Sequence, residues 1–178
     1  MMFLIAGAAA TGKSTVCAEF KDRGYAAYDV DVDGLGKWRN TGTGYVHPKS
    51  SVKLADRSPE FLATHEWAVP KAELEAIALG HHHEAVFICG AMSNVAELLD
   101  LFDKKIALHV RKPLLASRLE KRAGDDWGAQ SSEREITLRE YDGDVNRFKS
   151  LGYTMIESSL PVAELADSIV AICVPGSI

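Results

Sequence analysis

The sequence has no apolar run near the roughly 18 residues that span a bilayer, and it has no basic excess. Lys and Arg number 20 against 25 Asp and Glu, a formal net charge of −5. The first absence argues against a membrane span. The second argues against nucleic acid as the main partner, because duplex binding rests on cationic surface. Cysteine is scarce: Cys17, Cys89 and Cys173 are the only three. They are odd in number, far apart and set among apolar residues. That pattern argues against a disulfide framework and predicts buried free thiols in a reducing, cytoplasmic setting. The opening Met1-Met2-Phe3-Leu4-Ile5-Ala6-Gly7 lacks the basic start of a secretory signal and runs into a glycine-rich loop, so it reads as a first strand. Repeats and low-complexity tracts are also missing. The triplet His81-His82-His83 reads as a solvated turn, since consecutive side chains diverge and make a poor ligand set.

What is present is an ordinary globular balance: 178 residues, 47% hydrophobic and 25% charged. The length suits one domain with its own core. Short apolar runs alternate with stretches of helical spacing. Strands are expected at 3–6, 25–30, 85–89, 106–110 and 153–156. Helices are expected at 13–23, 94–102, 113–123, 132–151 and 161–173. Continuous apolar strands separated by helices predict an α/β fold with a parallel sheet covered on both faces. Residues 34–80 interrupt the rhythm and are too long for a simple connection. Ser58-Pro59 and Pro70 read as helix starts and Gly80 as a stop. The stretch is therefore expected to be a helical insertion over the C-terminal edge of the sheet, where α/β proteins bind ligands.

Gly7-Ala8-Ala9-Ala10-Thr11-Gly12-Lys13-Ser14 fits G-x-x-x-x-G-K-[ST] at every fixed position, between a strand and a helix. The glycines let the backbone wrap phosphates with its N–H groups inward, and the following helix points its positive end at the anion. Lys13 is expected on the β- and γ-phosphates and Ser14 on Mg²⁺, with Thr15 completing the nucleotide-binding run. The strand 85–89 ends in Cys89-Gly90 without a carboxylate. The acidic partner for the metal is therefore sought at Asp29-Val30-Asp31-Val32-Asp33, whose three aspartates share one face if the strand stays extended. Asp29 is the metal candidate and Asp31 the group that faces an acceptor hydroxyl. Arg118 and Arg122, with Arg134, flank a glycine-bearing loop at about 123–133 that reads as a lid; phosphoryl transfer needs such cations and a site closed to water. In the insertion Trp38, Arg39, Tyr45, His47, Lys49, Arg57, His65 and Trp67 are candidates for the acceptor, with Arg39 the preferred anion contact.

The order of phosphate loop, Asp29-Val30-Asp31, insertion, Gly90 and arginine-flanked lid resembles the nucleoside monophosphate kinase-like group of phosphate-loop NTPases, which includes adenylate, shikimate and gluconate kinases. The acidic pair is similar to that of shikimate kinases, where it serves metal and substrate, and 156–161 resembles the loop that cradles adenine. Asp33-Gly34-Leu35 with Trp38, His65-Glu66-Trp67, Phe87-Ile88-Cys89-Gly90 with Asn94, Leu101-Phe102-Asp103, and Arg118-Leu119-Glu120-Lys121-Arg122 with Trp127-Gly128 resemble small bacterial proteins described as AAA-family ATPases or nucleotide kinases. The resemblance implies a three-layer fold with strand order 2-3-1-4-5. It also implies a single kinase-like domain over 1–178 that transfers the γ-phosphoryl of Mg²⁺-ATP to a nucleotide or hydroxylated metabolite. Gly90 then borders the acceptor, and the molecule is a monomer or homodimer. The Asp-Gly-Phe-Pro-Arg run of adenylate kinases and the glycine triplet of shikimate kinases are both missing, so the sequence points to neither of those acceptors. The alternative is a nucleotide-dependent ATPase or switch acting on a protein partner.

Overall fold

A computed structural model describes residues 1–48, 51–82, 84–124 and 126–174. The expectations for Lys49, His83 and the lid residue Asp125 fall outside the described residues. Among the described residues seven strands form in chain order: β1 (Met2–Ala6), β2 (Ala26–Asp29), β3 (Lys37–Asn40), β4 (His65–Ala68), β5 (Val86–Cys89), β6 (Lys104–His109) and β7 (Thr154–Glu157). The helices are α1 (Lys13–Asp22), α2 (Pro59–Thr64), α3 (Lys71–Gly80), α4 (Lys112–Glu120), α5 (Ser131–Ser150) and α6 (Val162–Cys173). The main sheet runs β2-β5-β1-β6-β7 with every pairing parallel, the expected order 2-3-1-4-5 for its five strands.

β1 and β5 are apolar throughout because both of their faces are covered. Side chains alternate across β1: Phe3 and Ile5 pack with Val16, Cys17 and Phe20 of α1 and with Leu165 and Ile169 of α6. Met2, Leu4 and Ala6 face the other way, toward Leu74 of α3, Leu98, Phe102 and Tyr153. A third cluster of Val110, Leu115, Leu119 and Tyr141 joins α4 and α5 behind Ala8, Ala9 and Ala10. The Tyr141 hydroxyl donates to the Val110 carbonyl at 2.7 Å and accepts from the Val110 N–H at 2.8 Å, tying α5 to the end of β6. All three cysteines are buried free thiols. Among the described residues no helix is long and apolar enough to cross a membrane.

Three expectations are corrected. Residues 94–102 form two short 3-10 turns, Val95–Glu97 and Leu99–Leu101, in place of one α-helix. Asn94, the natural cap, instead bonds both backbone groups of Val69, at 3.0 and 2.9 Å, and leaves the turn uncapped. The insertion is not wholly helical: β3 and β4 pair antiparallel, with Trp38 opposite Trp67. Its helices do start where the sequence places them, with the Ser58 hydroxyl accepting from the Phe61 N–H at 3.2 Å before α2. The chain also leaves the extended conformation at Asp29, where β2 ends, so Asp29, Asp31 and Asp33 do not share one strand face.

Candidate active site

The segment between β1 and α1 wraps tightly because its residues permit it. Gly7 has φ +146°, and a Cβ there would lie 2.6 Å from both the Leu108 carbonyl oxygen and the Thr11 hydroxyl. Ala10 holds a left-handed φ of 62°, which disfavours any residue with a Cβ. Two contacts hold the loop against that preference. The Ser158 hydroxyl donates to the Thr11 carbonyl at 2.5 Å, and the Thr11 hydroxyl donates to the Ala8 carbonyl at 2.8 Å. Gly12 then precedes α1, whose N-terminus carries no side-chain cap, and a helix leaves its first-turn N–H groups without intrahelical partners.

Lys13 is almost fully buried, and its ammonium donates to the Ala8 carbonyl at 2.8 Å. Burial lowers its pKa to about 8, against the pull of Asp31 and Asp29, which favour the charged form, and with the help of Arg122, which opposes it. A lysine in this state is short of negative charge, which the phosphates of a nucleotide supply.

Asp29 is buried and shapes the turn that follows β2. Its Oδ1 accepts from the N–H groups of Asp31 at 2.9 Å and Val32 at 3.0 Å. Asp33 in turn accepts from the Asp29 N–H and from Lys21, both at 2.6 Å. That turn delivers Asp31 into the cleft, while Asp29 stays behind the wall. Asp31 meets solvent through the cleft mouth, yet protein surrounds it on most sides. This desolvation raises its carboxyl pKa, opposed mainly by Lys13. Its Oδ1 accepts the Trp67 indole N–H at 2.9 Å.

These groups line one cleft of about 1270 Å³. Gly7, Ala8, Ala9, Ala10, Gly12, Lys13, Ser14, Thr15, Asp31, Gly90, Arg118 and Arg122 all border it. Thr11 is fully buried beneath the loop. Arg118 donates to the Ser158 carbonyl at 2.9 Å and to the Ala10 carbonyl at 3.4 Å, so it links the phosphate loop to the loop after β7. Arg122 donates to the Trp127 carbonyl at 2.8 Å. Gly90 is explained by packing as well as by its place on the cleft: a Cβ there would lie 2.4 Å from the Val30 side chain.

Two arginines stand elsewhere. Arg39 does not border the cleft; its guanidinium is engaged by Glu66 at 2.7 Å and Glu97 at 2.8 Å, and these carboxylates hold its pKa above the ordinary value. The cause is strand alternation: Trp38 turns inward on β3 and Arg39 lies on the opposite side. Arg134 braces the loop before α5, donating to the Ala129 carbonyl at 2.6 Å, and likewise does not border the cleft. In the insertion Arg57 borders the cleft and approaches Glu133 of α5 at 3.9 Å. Glu133 accepts from the Gly128 N–H at 2.7 Å, so the insertion and the loop before α5 meet through these residues. His65 borders the cleft, with its Nε2 3.1 Å from that of His47. Among the described residues no group of three or more His, Cys, Asp or Glu is arranged to hold a metal ion. Ser14 borders the cleft at the start of α1 and carries the one hydroxyl that the phosphate-loop pattern assigns to a metal.

Sequence reading missed the wall formed by α5. Ile136, Glu140, Asp144 and Arg147 line the cleft, and their spacing of four, four and three residues was the available signal for a single helix face. Burial raises the Asp144 carboxyl pKa, and nearby Glu140 adds to the rise. Ser158 as a loop staple left no signal, since its partner Thr11 is 147 residues away.

No protein-family model matches the chain, and no curated protein does. Solved structures are similar over nearly the whole length. One is a shikimate kinase from Bacteroides thetaiotaomicron, 13% identical, covering 97% of this chain and 97% of that one at a TM-score of 0.61. Another is a shikimate kinase from Aquifex aeolicus, 15% identical, covering 97% and 95% at 0.52. A gluconokinase from Sinorhizobium meliloti is 21% identical, covering 96% and 89% at 0.50. Together with the strand order, these likenesses show that the chain has the fold of those small-molecule kinases, and its phosphate-loop motif lies in that fold between β1 and α1.

Proposed function

We propose that the protein is a cytosolic kinase that transfers the γ-phosphoryl group of ATP to the hydroxyl of a small acceptor. The observation that carries this reading is the opening of an intact phosphate loop, with its buried Lys13, onto the same cleft as Asp31. The cleft's 1270 Å³ exceeds the roughly 300–1,000 Å³ of a single-ligand pocket, which fits a nucleotide and an acceptor side by side. We read the whole chain as one kinase domain, with 34–80 as the acceptor-binding insertion and 123–133 as the lid.

In this reading the N–H groups of residues 8–15 cradle the phosphates, and Lys13 neutralises charge on the transferring group. Leu160, 48% exposed at the rim, offers an apolar surface to the base. Ser14 is the hydroxyl ligand for Mg²⁺, and Asp29 adds negative charge behind the turn; magnesium needs few protein ligands because the phosphates supply others. When bound, Mg²⁺ offsets charge on the β- and γ-phosphates. Asp31 accepts the acceptor's hydroxyl proton as its oxygen bonds to phosphorus and the bond to the β-phosphate oxygen breaks, releasing ADP. Arg122 and Arg57 supply cations from the lid and insertion sides. Arg118 holds the loop and the base-binding segment together. The acceptor is a hydroxylated metabolite or a nucleotide.

A thermal-shift series tests the reading. Mg²⁺-ATP is expected to raise the midpoint by mass action, and one acceptor class from a panel of nucleoside monophosphates and hydroxy acids is expected to raise it further. A response to ATP with none to any acceptor would favour a nucleotide-dependent switch; no response to any nucleotide would overturn the reading.

A further inference from the structure

Asp31 is anchored at both ends of its residue. Its backbone N–H is fixed on the buried Asp29 carboxylate at 2.9 Å, and its Oδ1 receives the Trp67 indole N–H at 2.9 Å. The carboxylate itself borders the cleft. Trp67 comes from β4, 36 residues away. Its ring is seated with some care by the surrounding backbone. A Cβ on Gly36 would lie 2.3 Å from the indole, so only glycine lets the ring in at that distance. Trp38 meets it edge-on at 5.4 Å from the paired strand β3.

We infer that Trp67 is the positioning residue for Asp31: its indole N–H fixes one carboxylate oxygen and turns the other toward the acceptor hydroxyl. The inference rests on the phosphotransferase reading, because it gives Asp31 a proton to accept. A carboxylate free to rotate would meet the acceptor in many orientations, and a misdirected base loses rate more than binding. The insertion thereby does more than enclose the acceptor. It completes the catalytic constellation through one side chain carried on β4.

The test has two arms. In protein labelled with ¹⁵N at tryptophan, three indole N–H resonances are expected. Asp31→Ala should move the Trp67 resonance, assigned with Trp67→Phe, far more than those of Trp38 and Trp127. Equal or negligible movement of all three overturns the contact in solution, and this arm needs no activity. The second arm is a double-mutant cycle on γ-phosphoryl transfer from Mg²⁺-ATP, with water as acceptor and with any acceptor found in the panel. Trp67→Phe should lower kcat roughly 10-fold or more, with KM for ATP within about 2-fold. In the Asp31→Ala background the same change should do nothing further. Trp67→His keeps a ring N–H and should recover part of the loss. Additive losses, or a Trp67→Phe effect confined to stability or to KM for ATP, would overturn the inference. A wild-type protein that neither hydrolyses ATP nor phosphorylates any acceptor defeats the phosphotransferase reading itself, and the resonance arm then decides the contact alone. Should Trp67→Phe fail to fold, Trp38→Phe and Trp127→Phe assign the three resonances by elimination, and Asp31→Ala still reports through them.

Discussion

Lys13 and Ala10 show how much chemistry this loop concentrates in single residues. Lys13 titrates near pH 8 because it is buried. Binding a polyanion beside it restores the charged form, so above about pH 8 nucleotide binding must take up a proton. The affinity for Mg²⁺-ATP is therefore expected to be flat below that pH and to fall by up to about tenfold per unit above it. Calorimetry in two buffers of different ionisation enthalpy at pH 9 should detect the proton; an affinity unchanged from pH 7 to 9.5 would contradict the assignment. Ala10, with φ 62°, sits where a Cβ is disfavoured. Replacing it with glycine relieves roughly 1–2 kcal/mol and costs about 0.4–1 kcal/mol in unfolded-chain entropy. Ala10→Gly should thus stabilise the protein by about 0.5–1 kcal/mol, a rise of roughly 2–3 °C in Tm. The phosphate loop was legible in the sequence because each of its fixed residues answers a local demand: close approach, charge, a hydroxyl. Arg39 misled for the same reason in reverse. Its chemistry suited an anion, but which side of β3 it occupies depends on the strand, and Glu66 and Glu97 engage it outside the cleft.

Among the elements, the parallel sheet could be read ahead of the structure, since β1 and β5 carry short apolar runs set between helical stretches, the pattern of a doubly covered sheet. The pair β3–β4 could not. Its strands are four residues each, and the pairing spans the insertion, with Asn40 opposite His65; no tight turn announces it. The 94–102 stretch misled because helical spacing of Val95, Leu98 and Phe102 is met equally by two tight turns once Asn94 is engaged by Val69. Gly36 and Gly143 make a contrasting pair for measurement. Gly36→Ala forces a Cβ within 2.3 Å of the Trp67 ring and should destabilise the protein by about 1–3 kcal/mol in urea unfolding, as overpacking does. Gly143 lies inside α5, and a Cβ added there would meet nothing within 4 Å. Gly143→Ala should stabilise by about 0.5–1 kcal/mol through helix propensity. The loss at Gly36 follows from packing and the gain at Gly143 from helix propensity; the loss would vanish if the insertion did not seat Trp67 on Gly36.

At the scale of the whole molecule, three bodies converge on one cleft: the sheet edge with its phosphate loop, the insertion with Trp67 and Arg57, and the lid with Arg122 and Trp127. Arg57 and Glu133 bring the second and third together. The phosphate loop could be picked out of the sequence because it is a local pattern, and of the other residues singled out there Asp31, Arg118 and Arg122 border the cleft while Arg134 and Arg39 do not. The α5 wall and the Trp67 contact could not be picked out, because those depend on where distant segments dock. The most direct measurement is incubation with γ-labelled ATP, Mg²⁺ and a pooled panel of nucleotides and hydroxylated metabolites, with products separated by mass. The account predicts a new phosphorylated product that is lost in Lys13→Met. Label appearing only in inorganic phosphate, or remaining wholly in ATP, would contradict it.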